Sequence, residues 1–361
     1  MTISLHIDPD IVVDACKAEL MPLVRLVLPD ILDNARSRAS RNVLSNHVIE
    51  RCDDVASADL VVIPVSWQHV MKRRLDKRVQ EILSEARHLG KPVISWTSGD
   101  SGYTPPFDVH VYRAAAYRSR MQKQQHIMPF MLTDPIHAIM KREDILPREW
   151  RERPLVGFCG QANPALWKTM LDISRVLLRN TRTYMGLRLD DPEALLAPSL
   201  LRTRVLDTLE RANGIDTCFI RRSRYRGSPD PEERRRMTLD FYENIDGTDY
   251  TVCMRGGGNF SVRLYETLAM GRIPLFIDTD CRLPFDDELD WRSIVVWIDE
   301  RDIAAVGERL KAAHHDMGPR GFEERQRFCR RFWLETLTPT VYWDRQLTRL
   351  NARPPSTGNP S

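Results

Sequence analysis

Two guanidinium groups, a glycine triplet and a carboxylate fall within twelve residues of this sequence, and together they could hold a phosphorylated ligand. The run is Arg255, Gly256, Gly257, Gly258, Asn259, Phe260, Ser261, Val262 and Arg263, with Glu266 about a helical turn further on. Glycines let a backbone approach a ligand closely or take positive φ. Asn259 or Ser261 can cap a helix that starts here, and the first amides of that helix then face the same space. Such amides and the positive helix end make an anion site. Arg255 and Arg263 add charge suited to a diphosphate, and Glu266 is an acceptor placed for ribose hydroxyls. The plainer reading uses the same residues: a tight turn, then an i, i+3 surface pair of Arg263 with Glu266.

Rival motifs share this stretch. Gly256-x-Gly258-x-x-Ser261 approaches a dinucleotide fingerprint, with Asp278 near the position of its ribose acid. Its third glycine is missing and the unit lies in mid-chain. A nicotinamide-dependent oxidoreductase is therefore the alternative enzyme class. Asp278-Thr279-Asp280 is a DxD triplet after a strand, a form that can hold a metal and that solvated turn residues also take. No GxxxxGK[ST] run occurs.

The elements that position these residues read as α/β, with apolar runs alternating with helical periodicity. In the first half, 58–65 predicts a buried strand, 68–89 one amphipathic helix, 91–96 a strand, and 109–112 another. The charged segment 141–154 ends in Pro154 before a fresh strand at 155–159, which marks a boundary between domains 1–150 and 151–325. Then follow a helix at 166–179, a long polar and Arg-rich region, a helix at 232–242 and a strand at 249–254. Beyond the glycines come a helix at 261–270, strands at 273–277 and 293–298, and helical segments at 301–315 and 322–350. The sequence 326–352 reads as a helical segment that can cross back to the first domain, and 353–361 as a disordered tail.

Composition narrows the function classes. A chain of 361 residues with 42% hydrophobic residues is long enough for two cores. Fifty-three Lys and Arg against fifty Asp and Glu leave +3, so no nucleic-acid partner is expected. The segment 221–236 is nonetheless rich in arginine and could meet an anionic acceptor or a membrane surface, or be only a solvated face. No membrane span or secretion signal is expected. Seven scattered cysteines without a CxxC pair predict neither a metal cluster nor a disulfide framework, and a cytoplasmic setting.

Residues 249–298 resemble the C-terminal donor-binding segment of the exostosin-like glycosyltransferases, family 47. The family pattern runs C-x-R-G-x-G, x-x-S-x-R-x-x-E, G-x-I-P-V, L-P-F and L-D-W. Here it is matched by Cys253, Arg255, Gly256, Gly258, Ser261, Arg263, Glu266, Gly271, Ile273 and Pro274. Leu283, Pro284, Phe285, Leu289, Asp290 and Trp291 continue it. Gly257 and Arg272 depart from what members often carry. More loosely, 58–65 is similar to the family's AD-x-F-x-V-P strand and 98–102 to its glycine-aspartate loop.

The resemblance implies a GT-B architecture, two Rossmann-like domains facing across a cleft. The nucleotide-sugar, with UDP the expected nucleotide, would lie on the second domain and a saccharide or glycolipid acceptor mostly on the first. It implies inversion at the anomeric centre without an obligatory metal or other cofactor, in surface polysaccharide or glycan synthesis, and demotes the metal reading of Asp278 and Asp280. A catalytically degenerate saccharide binder is the non-enzymatic alternative. Inversion by direct displacement needs a base. Candidates on first-domain loops are Asp100, His69, His110 and Asp134. Asp100 is preferred because it follows a strand, where cleft residues of open α/β sheets gather, although an Asx-turn would use it equally. The absence of a membrane anchor, which many eukaryotic members carry, suggests a cytoplasmic protein, at most peripheral at the inner face of the membrane.

Overall fold

The computed structural model describes every residue except 13–14, 29–30, 32–41, 45, 101, 163–165, 189, 223–229 and 352–361, and only the backbone of 42–43, 166–168 and 172. The expected tail at 353–361 lies outside the described residues.

The first sheet is built from β1 (Thr2–His6), β2 (Asn42–Val43), β3 (Val48–Cys52), β4 (Leu60–Ser66), β5 (Val93–Trp96), β6 (His110–Arg113) and β7 (Gln125–Ile127). Its order is β2-β3-β1-β4-β5-β6-β7, parallel throughout except for β2 against β3. All seven residues of β4 are buried. An unbroken apolar run suits a strand covered on both faces. Pro64, which has no N–H to give a ladder, falls within the register shift between β4 and β5.

Helices α1 (Pro9–Val12), α2 (Pro22–Val27), α3 (Trp67–Lys72) and α4 (Asp76–His88) flank this sheet, whereas α5 (Pro135–Ala138) buries Ile136 with Ile145, Phe241 and Met270. The single helix expected over 68–89 is two. Arg74 takes φ 56° between them, while Leu75 N–H donates to the Val70 carbonyl at 2.9 Å. That is a Schellman-type stop, made here without the glycine that would have announced it.

The second sheet holds β8 (Leu155–Gln161), β9 (Asp216–Arg222), β10 (Tyr250–Cys253), β11 (Ile273–Asp278) and β12 (Val296–Asp299), all parallel, in the order β12-β11-β10-β8-β9. Its helices are α6 (Leu166–Tyr184), α7 (Pro198–Glu210), α8 (Pro231–Asp246), α9 (Val262–Ala269), α10 (Trp291–Ile294) and α11 (Val306–Phe332). Gly318, at φ 59°, and Pro319 break α11 into two pieces. The polar region before 232 holds α7 and β9, which periodicity did not predict.

A last helix, α12 (Pro339–Asn351), leaves the second unit. Phe332, Trp333 and Leu337 still pack in the second core, whereas Tyr342, Trp343 and Leu347 are buried in the first. The Tyr342 hydroxyl donates to the Ile127 carbonyl at 2.9 Å, and the Asp344 carboxylate lies 2.8 Å from Nδ1 of His47. Two sheets, parallel but for β2, with helices on their faces and closed by this crossing helix, form the GT-B architecture.

Candidate functional site between the two sheets

Both sheets turn the C-terminal ends of central strands toward one cleft of about 1140 Å³, the usual ligand position in open α/β sheets. On the second-domain side β10 ends at Cys253, and the chain passes through Arg255 and the glycines into α9. Arg255, Gly256, Gly257, Ser261, Arg263 and Glu266 all line the cleft. Ser261 is the N-cap residue of α9, but its side chain makes no capping hydrogen bond. Asn259 does not cap either. The motif's Cys253 is fully buried, and burial pushes its thiol up to about 12, so it packs without reacting.

The charged side chains are held from several elements. The Arg263 guanidinium stacks 4.3 Å from the Phe158 ring and donates to the Cys159 carbonyl at 2.8 Å. Glu266 is buried and accepts from the Tyr242 hydroxyl at 3.2 Å. Arg255 is also buried; it donates to the Tyr117 hydroxyl at 3.0 Å and lies 3.6 Å from Glu193. Arg202, on α7, donates to the carbonyls of Gln161 and Arg255, at 3.1 and 2.9 Å. It thereby ties the glycine loop to the end of β8.

Two residues expected to bind a donor face elsewhere. A β-carbon on Gly258 would stand 2.0 Å from the Asp100 carbonyl oxygen, whereas one on Gly256 would meet nothing nearer than 3.9 Å. Asn259 is buried and donates to the carbonyls of Ala116 and Asp280, while accepting from Thr279. Gly258 and Asn259 thus serve contact with the first domain rather than the cleft.

The DxD triplet serves the same contact. Asp278 accepts from Arg118 at 2.8 Å and from the Cys281 amide, and Asp280 accepts from the amide and hydroxyl of Ser119. Burial works against the charge of Arg118, but the hydrogen bond and charge of Asp278 outweigh it and hold its pKa above the ordinary value. Asp278 is therefore engaged and is not placed as the ribose acid of a dinucleotide site. Among the described residues no three His, Cys, Asp or Glu side chains gather as a metal site.

Of the four candidate bases only Asp100 lines the cleft, on the loop after β5. His69 belongs to α3, not a loop; its ring is buried, with Nδ1 3.0 Å from Glu19. His110 opens β6, with Nδ1 2.9 Å from Nε2 of His126. Asp134 caps α5 and accepts two bonds from Arg330 on α11, at 2.6 and 2.9 Å. Of the Arg-rich segment, 223–229 lies outside the described residues. Arg221 is ion-paired with Asp207 and Glu210, and Arg234, Arg235 and Arg236 are exposed on α8.

A strap of chain before α7, missed in the sequence, crosses between the domains. Asp191 pairs with Arg113 at 2.7 Å, and its amide donates to the Gly102 carbonyl at 2.7 Å. The Ala194 amide donates to the Tyr117 hydroxyl, and Arg120 donates to the Pro192 carbonyl. Glu193 accepts from Arg179 at 2.9 Å and so places its carboxylate between two guanidiniums. The strap walls off a second cavity of about 290 Å³, lined by Asp100, Thr104, Arg113, Tyr117, Gln122 and Glu193 among others. Acidic residues flanking Pro192 were the available signal, but their partners lie far away in sequence.

Residues 167–313 match the family model described as the Exostosin GT47 domain. A stretch of 76 residues is 32% identical to a probable glucuronosyltransferase 47 A of Physcomitrium patens, covering 21% of this chain and 17% of that protein. A stretch of 63 residues is 36% identical to a probable beta-1,4-xylosyltransferase IRX10L of Arabidopsis thaliana, covering 18% of this chain and 15% of that protein. This chain therefore matches less than a fifth of the length of either relative. Among solved structures, an alpha,alpha-trehalose-phosphate synthase (UDP-forming) from Burkholderia vietnamiensis aligns over 99% of this chain and 98% of its own. That alignment has 10% identity and a TM-score of 0.37, and the fold assignment rests instead on the two sheets themselves. The exostosin-like character read from 249–298 stands on the family match.

Proposed function

We propose that this chain is an inverting glycosyltransferase that moves a sugar from a nucleotide-sugar, with UDP as the nucleotide, to a saccharide or glycolipid acceptor. One observation carries the reading: the glycine loop, the start of α9, Arg263 and Glu266 line the same wall of the interdomain cleft. In this proposal the first-turn amides of α9 and the Arg263 guanidinium hold the diphosphate. Glu266 accepts from the ribose. Arg255 lines the same cleft, where Glu193, 3.6 Å away, competes with the diphosphate for it.

The chemistry is a single displacement. The acceptor oxygen bonds to the anomeric carbon from the face opposite the diphosphate as the bond from that carbon to the diphosphate oxygen breaks. Asp100, entering from the first domain, takes the hydroxyl proton. The charge left on the diphosphate falls beside Arg263 and the start of α9, which replace solvent as its stabilisers. No cofactor beyond the nucleotide-sugar substrate is required. A cytoplasmic setting is part of the proposal, supported by the lack of any disulfide among the seven cysteines.

The test is release of UDP from a panel of UDP-sugars with oligosaccharide and glycolipid acceptors. Acceptor-dependent release that persists in chelator supports the reading. An absence of release with every donor, joined to binding of NAD, would move the chain to the oxidoreductase class.

A further inference from the structure

Helix α6 is built inside out. Toward the protein it turns Thr169, which is buried, and Val176, Asn180 and Thr183, which are half-buried. Toward solvent it turns Met170, 70% exposed, Ile173, Leu177, 54% exposed, Leu178, and Tyr184, 78% exposed. At about 100° per residue these outward side chains form one continuous arc. A surface helix ordinarily points such a stripe at the core.

Even the hydroxyls within this arc are satisfied internally. Ser174 donates to the Leu171 carbonyl and Thr181 to that of Leu177, both at 2.9 Å, so neither requires water. The apolar character continues into the following turn with exposed Met185 and Leu187. An apolar surface of this kind marks an interaction site.

Charge selects the partner. Arg175 and Arg182, both exposed, lie along one edge of the arc. The helix sequence carries Lys168, Arg175, Arg179 and Arg182 against Asp172 alone, and of these Arg179 is held by Glu193. An apolar face flanked by guanidiniums is the composition of a helix lying in the headgroup layer of a bilayer. Among the described residues no helix is long and apolar enough to cross a membrane. If two copies paired through this helix, each would bring the same basic edge and no row of carboxylates to meet it.

We propose that the outward face of α6 seats this protein on an anionic lipid bilayer, with its arginines among the headgroups. Leu171, Arg175, Leu178 and Arg182 also line the cleft, so the bilayer would lie beside its mouth. The consequence, that a lipid-borne acceptor reaches the cleft from the membrane plane, rests on the function proposed above; the docking itself does not.

The experiment is cosedimentation of the full chain with vesicles of phosphatidylglycerol and phosphatidylcholine in equal parts, and with phosphatidylcholine alone, without nucleotide. The variant is Met170→Ser with Leu177→Ser, which leaves the charge unchanged and alters two exposed side chains outside the cleft lining. Circular dichroism checks its fold, and UDP titration tests the cleft separately. The expected result is binding to the anionic vesicles that added salt weakens and that the variant lowers roughly tenfold or more. Equal binding by parent and variant, equal binding to neutral vesicles, or no binding at low salt would each overturn the proposal. So would a dimer in sedimentation equilibrium that the variant dissociates without any vesicle binding, which would make the face a contact between copies.

Discussion

The carbonyl oxygen of Asp100 lies 2.0 Å from the point where a β-carbon on Gly258 would stand. The glycine loop of the second domain and the glycine-aspartate loop of the first are therefore in contact. In this triplet Gly256 and Gly257 line the cleft and Gly258 admits the opposite domain.

Gly258→Ala forces the two loops apart. It should destabilise the protein by about 1–3 kcal/mol, the usual cost of overpacking. Gly256→Ala, with open space at its β-carbon, should remain within about 1 kcal/mol of the parent. Scanning calorimetry of both variants checks this, and equal melting temperatures would contradict it.

The pair Arg118–Asp278 joins the domains at 2.8 Å with Asp278 buried. Asp278→Ala should cost about 1–3 kcal/mol, the penalty for leaving a buried partner unmatched, and chelator should leave transfer largely unchanged. Loss of transfer in chelator, restored by manganese or magnesium, would instead show that Asp278 and Asp280 hold a metal.

Glu193 places a carboxylate between Arg179 and Arg255, where a diphosphate would have to compete with it. Glu193→Gln should tighten UDP binding by roughly threefold to tenfold, since charge-assisted bonds exceed neutral ones by about 1 kcal/mol. Weaker binding in this variant would mean that Glu193 holds the two guanidiniums in the binding geometry.

The pH dependence of stability should carry a mark from Glu19. Its carboxyl is held down at about 2, from 4.5, first by the backbone N–H of Cys16 and then by the neighbouring His69. A depressed acid contributes stability above its unfolded pKa and loses it as pH falls toward the folded value. Between about pH 4.5 and 2 the parent's melting temperature should fall more steeply than that of Glu19→Gln. Parallel curves would contradict the assignment.

What could be read in the sequence, and what could not, divides by range. The glycine loop and β4 were legible because a glycine run with flanking arginines, and an unbroken apolar run, are local signals. Strand β9 was not, because its residues alternate between exposed and half-buried at the edge of the sheet. The break at Arg74 was hidden because an arginine occupies the position glycine usually takes. Arg202, Glu193 and the engagement of Asn259 depend on partners many residues away, and no spacing along the chain encodes them. The histidine candidates lie outside the cleft lining for a related reason: residue type gave their chemistry, but burial and the direction of strand and helix decided their reach.

Asp100→Asn preserves the size and hydrogen bonding of the cleft carboxylate while removing its ability to take a proton. Turnover should fall by about two to four orders of magnitude, the usual worth of a general base, with UDP affinity nearly unchanged. Near-normal turnover would make Asp100 a loop residue only, and loss of folding would assign it to the turn.

The central claim is that Arg263, Glu266 and the start of α9 form a nucleotide-sugar site. Isothermal titration of UDP and of NAD into the parent and into Glu266→Ala tests it most directly. The account predicts that UDP binds the parent, that NAD does not, and that the variant loses roughly tenfold or more in UDP affinity, the scale of one lost charge-assisted hydrogen bond. Its melting temperature is measured alongside, because Glu266 is also the acceptor for Tyr242. Binding of NAD in place of UDP, or equal UDP binding by parent and folded variant, would contradict it.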